Sequence, residues 1–232
     1  MSVFERGESD GARITVEWEG GLSWMAHPEE EGQRSSHAIS TADGVWLLDP
    51  LDAPNVEERI APLGEVVGVA VLSCWHARDA GLFARRHDVP VSIPEWMSRV
   101  DSLIDAPVEQ YTFSPAAEFR VLPCRPFPNW EEVFWYHEPS GTLIAPDSLG
   151  TVESFRVGDE RLGIETFRRL QPPTELAGPD PERILVGHGP GITDHPGSAL
   201  RESLDGTRWT FPAALVENGA ESVRSILAAM RS

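Results

Sequence analysis

Cys74, His76, Arg78 and Asp79 fall within six residues, directly after the apolar run Val66 to Leu72. A buried strand ending in such a turn presents all four at its carboxyl end, where open α/β sheets place their ligand sites. A thiol, an imidazole and a carboxylate can ligate metal ions, and a thiol beside an imidazole base can act as a nucleophile. A guanidinium does neither, because it stays protonated. Farther along, Asp147 lies in the turn APDSLG, and His188 stands between two glycines, the best functional candidate of the seven histidines. Each residue also has an ordinary role. Cys74 can be a small buried hydrophobe, Asp79 can favour a helix N-terminus, and Asp147 can shape a turn. His27, His37, His87 and His195 read as surface or loop residues, and Cys124 as packing.

The elements that position these residues follow from hydrophobic period and turn chemistry. Arg13 to Trp18 alternates with period two, as a half-buried strand does, and Leu22 to Ala26 is its partner across Gly20-Gly21. Ser36 to Thr41 and Val45 to Asp49 are strands joined at Asp43-Gly44. A helix follows over Asn55 to Leu63, then the strand Val66 to Leu72, a helix near Ala77 to His87 and a strand at Val89 to Ile93. Strands are expected at Gln110 to Phe113, Phe119 to Leu122, Glu132 to His137 and, after Pro139-Ser140-Gly141, Thr142 to Ala145. Ile164 to Leu170 reads as helical, Arg183 to Val186 as a strand, and two helices end the chain. The last, about Gly219 to Met230, has Val223, Ile226, Leu227 and Met230 at helical spacing, with Asn218 and Glu221 as a capping box.

Four marks in this order, VWLLDP, SCWHARDAG, EPSGTLIAPDSLG and ILVGHGPG, resemble the metallo-β-lactamase superfamily. The resemblance implies an α/β (α+β) four-layer αββα sandwich, a single such domain over residues 1–232. In that family three imidazoles hold one zinc, an Asp and two His hold a second, and one carboxylate bridges. Carried over, Cys74 stands where the first His of H-x-H-x-D-H would be, and His76 keeps the second. Arg78 replaces the ligating Asp, and Asp79 the adjacent His. Asp147 keeps the bridging carboxylate and His188 the last imidazole. The remaining His falls, counting back nineteen residues from Asp147, on Pro128, which cannot ligate. His137 could replace it only in another register. The metal candidates are therefore His76, Asp147, His188, Asp79 and Cys74, with Arg78 expected to form a salt bridge to Asp79 or Asp147 in place of a metal. Asp147, His188 and His76 are the catalytic candidates. Trp75, Trp130 and Trp135 can wall a pocket, with core burial the alternative for Trp135.

Composition bounds the setting. The 232 residues carry 37 acidic and 19 basic side chains, a net charge of −18. All 19 basic residues are arginine. Such repulsion opposes compaction in dilute salt and is screened in strong salt, which reads as a halophilic, acidic protein. Nucleic acid is excluded as a partner by the lack of a basic patch, the pairs Arg85-Arg86 and Arg168-Arg169 reading as solvated helix faces. No apolar run reaches membrane-spanning length, so no membrane partner is expected. Two cysteines without a secretory signal read as cytoplasmic. The functional expectation is a superfamily member with an eroded zinc centre, without dinuclear hydrolysis, keeping a pocket for an unknown small-molecule ligand or substrate. The alternative is an ester- or thioester-type hydrolase using a single metal on His76, Asp147 and His188. The cofactor expectation is accordingly no zinc or one.

Overall fold

The computed structural model describes residues 3–229 except Arg6 and Glu8. The chain opens with β1 (Arg13–Trp18), β2 (Gly21–Met25), β3 (Ser35–Thr41) and β4 (Gly44–Leu48), an antiparallel meander. Then α1 (Val56–Ile60), β5 (Val66–Ala70), α2 (Ala80–His87), β6 (Val91–Pro94), α3 (Ser98–Asp101) and β7 (Val108–Tyr111) extend the same sheet in parallel. The seven strands lie in sequence order. Parallel neighbours need crossovers, and α1 and α2 supply them for β4–β5 and β5–β6.

A second sheet pairs β8 (Phe119–Phe127), β9 (Trp130–His137), β10 (Thr142–Ala145) and, parallel to β10, β13 (Arg183–Val186). Between β10 and β13 the short β11 (Leu149–Gly150) and β12 (Gly163–Ile164) form a ribbon. The chain ends in α4 (Pro196–Ala229).

The period of two along the second sheet separates two cores. Val133, Trp135, Ile144 and Leu185 join the residues of the first sheet in the inter-sheet core. Their neighbours Phe134, Tyr136, Leu143, Ala145, Ile184 and Val186 turn outward onto Ala199 and Leu200 of α4. Helices α1 and α2 cover the other face of the first sheet through Val56, Ile60, Ala80, Phe83 and Ala84. The layers are thus helix, sheet, sheet, helix. Trp135 sits fully buried at their centre, edge-on to Trp46 with ring centroids 5.7 Å apart.

Several local expectations are corrected. The two terminal helices are one, because the buried positions Ala199, Ser203, Thr207, Ala214, Asn218 and Ser222 form a continuous stripe across Pro212. Packing on that stripe outweighs the roughly 3 kcal/mol cost of an interior proline. Asn218 is therefore mid-helix and bonds the Arg156 carbonyl at 2.8 Å instead of capping. Met230 lies outside the described residues. Ile164 to Leu170 is the end of β12 followed by a 3-10 turn, Phe167–Leu170. Arg168 and Arg169 are buried rather than solvated: Arg169 pairs with Glu160 at 2.6 Å, and Arg168 donates to Ser148 Oγ at 2.7 Å. His37 is a buried residue of β3, hydrogen-bonded to Ser23 Oγ at 2.8 Å. Among the described residues no helix is long and apolar enough to cross a membrane.

Candidate metal centre

The loops after β4, β5, β10 and β13 meet at one edge of the sandwich. After β4 the chain turns at Asp49, which takes a left-handed backbone conformation (φ 47°). One Asp49 oxygen accepts the Leu72 N–H at 2.8 Å and the other faces His76 Nδ1 at 2.7 Å. The same carboxylate thus ties the end of β5 to the imidazole that follows it. After β13, Gly187 lets the chain pass so close that a Cβ there would lie 2.2 Å from the Pro146 carbonyl oxygen. That approach delivers His188, whose Nδ1 is 2.7 Å from the Gly32 carbonyl oxygen.

Those outer contacts set the tautomers. A carbonyl oxygen accepts only, so His188 carries a proton on Nδ1. The Asp49 carboxylate fixes the same arrangement at His76. Both Nε2 lone pairs then point inward. His76 Nε2 lies 3.1 Å and His188 Nε2 3.2 Å from the same atom, Asp147 Oδ1. Asp147 Oδ2 is buried without a hydrogen-bond partner. Three acceptors converging on one point need a cation between them or added protons. Without a metal the protons answer. Burial and Arg78 push the His76 pKa down, but Asp147 and Asp49 outweigh them and hold it above its ordinary value. Burial would raise the Asp147 carboxyl, yet the two imidazoles hold it well below the carboxylate range.

Asp147 is positioned by a residue that sequence reading overlooked. Glu132, fully buried on β9, accepts the Asp147 and Ser148 N–H groups at 3.1 and 3.0 Å, the Ser148 hydroxyl, and Trp130 Nε1 at 3.0 Å. Asp49 was likewise noted only as a strand end. A signal existed for each: an acid closing an apolar strand, and an acid inside the apolar run EEVFWY.

Arg78 does not form the expected ion pair. Its backbone is also left-handed (φ 41°), and its guanidinium turns onto carbonyls, those of Ser35 at 2.6 Å, Asp49 at 2.9 Å and Gly187 at 3.3 Å. The fork thus joins the start of β3, the turn after β4 and the loop after β13. Arg78 NH2 also lies 3.2 Å from His76 Nε2. Asp79 is corrected as well. Its carboxylate accepts the Asp52 N–H at 2.8 Å and faces a separate surface groove, so it is not a donor here. Cys74 lines the cleft, but its Sγ contacts the Asn129 carbonyl at 3.5 Å, and burial pushes its thiol up to about 11. Pro128 sits in the β8–β9 turn and offers no donor. His137 is engaged elsewhere, with Ser140 Oγ at 2.7 Å and Glu118 at 3.0 Å. Trp75 lines this cleft and meets Trp130 edge to face at 5.0 Å. The donor set that fits a metal is His76, Asp147 and His188.

No family model matches this chain, and no curated protein sequence does. Solved structures do match. The chain is similar to the Flv1 flavodiiron core from Synechocystis sp. PCC6803, with a TM-score of 0.62 and 12% identity over 85% of this chain. It spans 61% of the length of that core. It is also similar to the metallo-β-lactamase FIM-1 from Pseudomonas aeruginosa in its mono-zinc form, with a TM-score of 0.58, 12% identity, and 86% and 97% of the two chains covered. A third is the metallo-β-lactamase from Hirschia baltica, with a TM-score of 0.59, 10% identity, and 85% and 98% covered. The chain has the metallo-β-lactamase fold. At these identities the likeness speaks for the fold and leaves the chemistry to the site.

Proposed function

We propose that this protein is a single-metal variant of the metallo-β-lactamase fold, a hydrolase of ester- or thioester-type bonds. His76, Asp147 and His188 hold the ion, and Arg78 supplies the charge of a second one. The observation that carries the reading is the triangle of two Nε2 atoms and one carboxylate oxygen, whose outer partners turn their lone pairs on one another and leave a metal ion or protons to fill the space between. A divalent ion there would polarise a scissile carbonyl and lower the pKa of water. The protein's own contributions are distinct. Asp49 and the Gly32 carbonyl hold the two rings in one tautomer. Glu132 fixes the Asp147 backbone. Asp147 Oδ2, the oxygen without a partner, is the atom placed to receive a proton from an attacking water. Arg34 and Arg99 line the same cleft, Arg34 paired with Glu30 at 2.8 Å.

A second reading rests on one contact. Arg78 NH2 stands 3.2 Å from His76 Nε2 and can donate into the lone pair that a metal would take. On that reading the centre is eroded and the pocket only binds.

Metal content per chain, after purification without chelator, separates the two. One ion per chain is expected, lost in His188→Ala together with hydrolysis of a p-nitrophenyl ester and a thioester. Asp49→Asn should weaken metal binding about 10–100-fold, the usual cost of losing an outer partner of a ligating histidine. Zero ions, with no effect of His188→Ala, gives the pocket reading. Two ions overturn both.

A further inference from the structure

A second cleft opens on the other side of Asp147 and His188. It occupies about 560 Å³ including its mouth, and Trp75, Trp130, Val152, Phe155 and Ile226 give it apolar walls. Apart from His188, its polar residues are serines and acids. Glu165 and Glu221 line it, no arginine of the described residues does, and the chain has no lysine. Glu165 is only 5% exposed. Its Oε2 accepts the N–H groups of Phe167 at 2.7 Å and Arg168 at 3.1 Å. Its Oε1 is buried with no hydrogen-bond partner. The adjacent Ser222 hydroxyl bonds Thr166 Oγ1 at 2.8 Å. The Glu165 N–H bonds the Ser148 carbonyl at 3.1 Å, one residue beyond Asp147, so this acid belongs to the same loop cluster as the metal centre.

A buried acceptor left unmade costs about 1–3 kcal/mol. A donor brought by a ligand recovers it. An anionic ligand end would meet Glu165, Glu221 and Asp147 together and be repelled. A neutral apolar end would leave Oε1 as it is. A metal ion would find too few donors, since Glu165 belongs to no cluster of potential ligands among the described residues.

We propose that this cleft binds a primary amine with an apolar body, the ammonium on Glu165 Oε1 and the body between Trp75, Trp130, Phe155 and Ile226. As the arm of a substrate this rests on the hydrolase reading, whereas as a binding site it does not.

The test is calorimetric binding of 4-phenylbutylamine and of 4-phenylbutan-1-ol to the intact protein at pH 8, with and without added zinc. The amine should bind at least about tenfold more tightly than the alcohol, the 1.4 kcal/mol of one decade. Glu165→Gln should remove that preference and leave alcohol binding within about twofold, a margin well inside one decade. Should that variant fail to fold by circular dichroism, Ile226→Trp decides. It fills the cleft from the helix side, leaves Glu165 in place, and should weaken the amine at least about tenfold. Equal binding of amine and alcohol, a preference kept in folded Glu165→Gln, or amine binding untouched by Ile226→Trp overturns the proposal. Amine binding that persists while no ester or thioester is cleaved removes the hydrolase reading alone.

Discussion

On one side of Asp147 and His188 lie Arg34, Arg78 and Arg99 with Cys74 and His76; on the other lie Glu165 and Glu221 among Val152, Phe155 and Ile226. The first wall is made of residues at the ends of β-strands and their loops. Its key cation is bound to three backbone carbonyls from three separate segments, the start of β3, the turn after β4 and the loop after β13, so it is part of the frame. The second wall is carried by the 3-10 turn Glu153–Phe155, by the residue that follows β12 and by α4. Its key acid has one oxygen fixed and the other idle. The difference separates a cation that holds the site together from a carboxylate that the fold does not need at full strength. The guanidinium bonds through NH1 and NH2 and leaves Nε buried without a partner, as Glu165 leaves Oε1, so the two walls differ in how many separate segments their buried group joins.

Removing the frame cation should have the largest effect. In Arg78→Met the Ser35, Asp49 and Gly187 carbonyls lose a charged donor, and the Asp49 carboxylate loses its nearby cation. Breaking such a buried charged set costs about 3–5 kcal/mol. Denaturant unfolding of the purified variant measures it. A loss below about 1 kcal/mol, the range of ordinary surface changes, would mean that the guanidinium does not join the loops. The contrast between the two walls would then collapse.

The frame was legible in the sequence to a different degree from the wall opposite. His76, Asp147 and His188 were found because each ends a strand or hairpin with a readable period, and strand ends in a sandwich of this kind share one edge. Arg78 was picked out by its type, but its partners were not. A guanidinium next to Asp79 in sequence suggests an ion pair, yet its actual partners are carbonyls, which leave no mark in a sequence. Asp79 follows one position later, and the left-handed backbone at Arg78 turns it out of the site. Glu165 and Glu221 were not singled out as site residues. They are fifty-six residues apart, and only the continuity of α4 across Pro212, which reads as a break, brings them to one cleft. Arg168 and Arg169 were misread for the same reason. Charged pairs are normally solvated, and nothing local says that a long helix will cover them.

Glu165 offers the next test. Burial raises its carboxyl from the ordinary 4.5 to about 7, against the pull of the Arg168 and Phe167 N–H groups. The folded protein therefore keeps a proton that the unfolded chain releases. The stability this gives is fully present below about pH 4.5 and is lost as pH rises through about 7, an upper bound of about 3 kcal/mol. His37 acts in the opposite sense. Burial lowers it to about 3, so its share of stability is present above its ordinary 6.5 and is lost as pH falls towards 3. The wild-type curve mixes the two, but the difference between wild type and Glu165→Gln isolates the acid. That difference should move in favour of the variant as pH rises from 4.5 to 8. A difference independent of pH would show that Glu165 titrates as an ordinary carboxyl, and the second wall would then carry no idle acceptor.

The smallest effect is expected at Cys74, and it sharpens the first wall. Cys74, where the sequence resemblance places a histidine, is 1% exposed. Three arginines line the same cleft, which by itself would favour a thiolate. Burial, together with Asp147 and Glu131, outweighs the Arg99 charge and pushes the thiol up to about 11. It is therefore neutral at pH 7, a poor ligand and a poor nucleophile. Its sulfur meets the Asn129 carbonyl, in the turn that brings Trp130 against Trp75. Its work is to pack the loop after β5 against the β8–β9 turn. Cys74→Ala should cost about 1 kcal/mol, the price of a small buried group, and leave the number of bound metal ions and their affinity unchanged. Zinc titration of the variant checks this against wild type. A tenfold or greater loss of affinity, one decade or 1.4 kcal/mol, would make Cys74 a fourth donor. The first wall would then be part of the metal site itself, and Arg78 would stand beside a thiolate rather than in place of an ion.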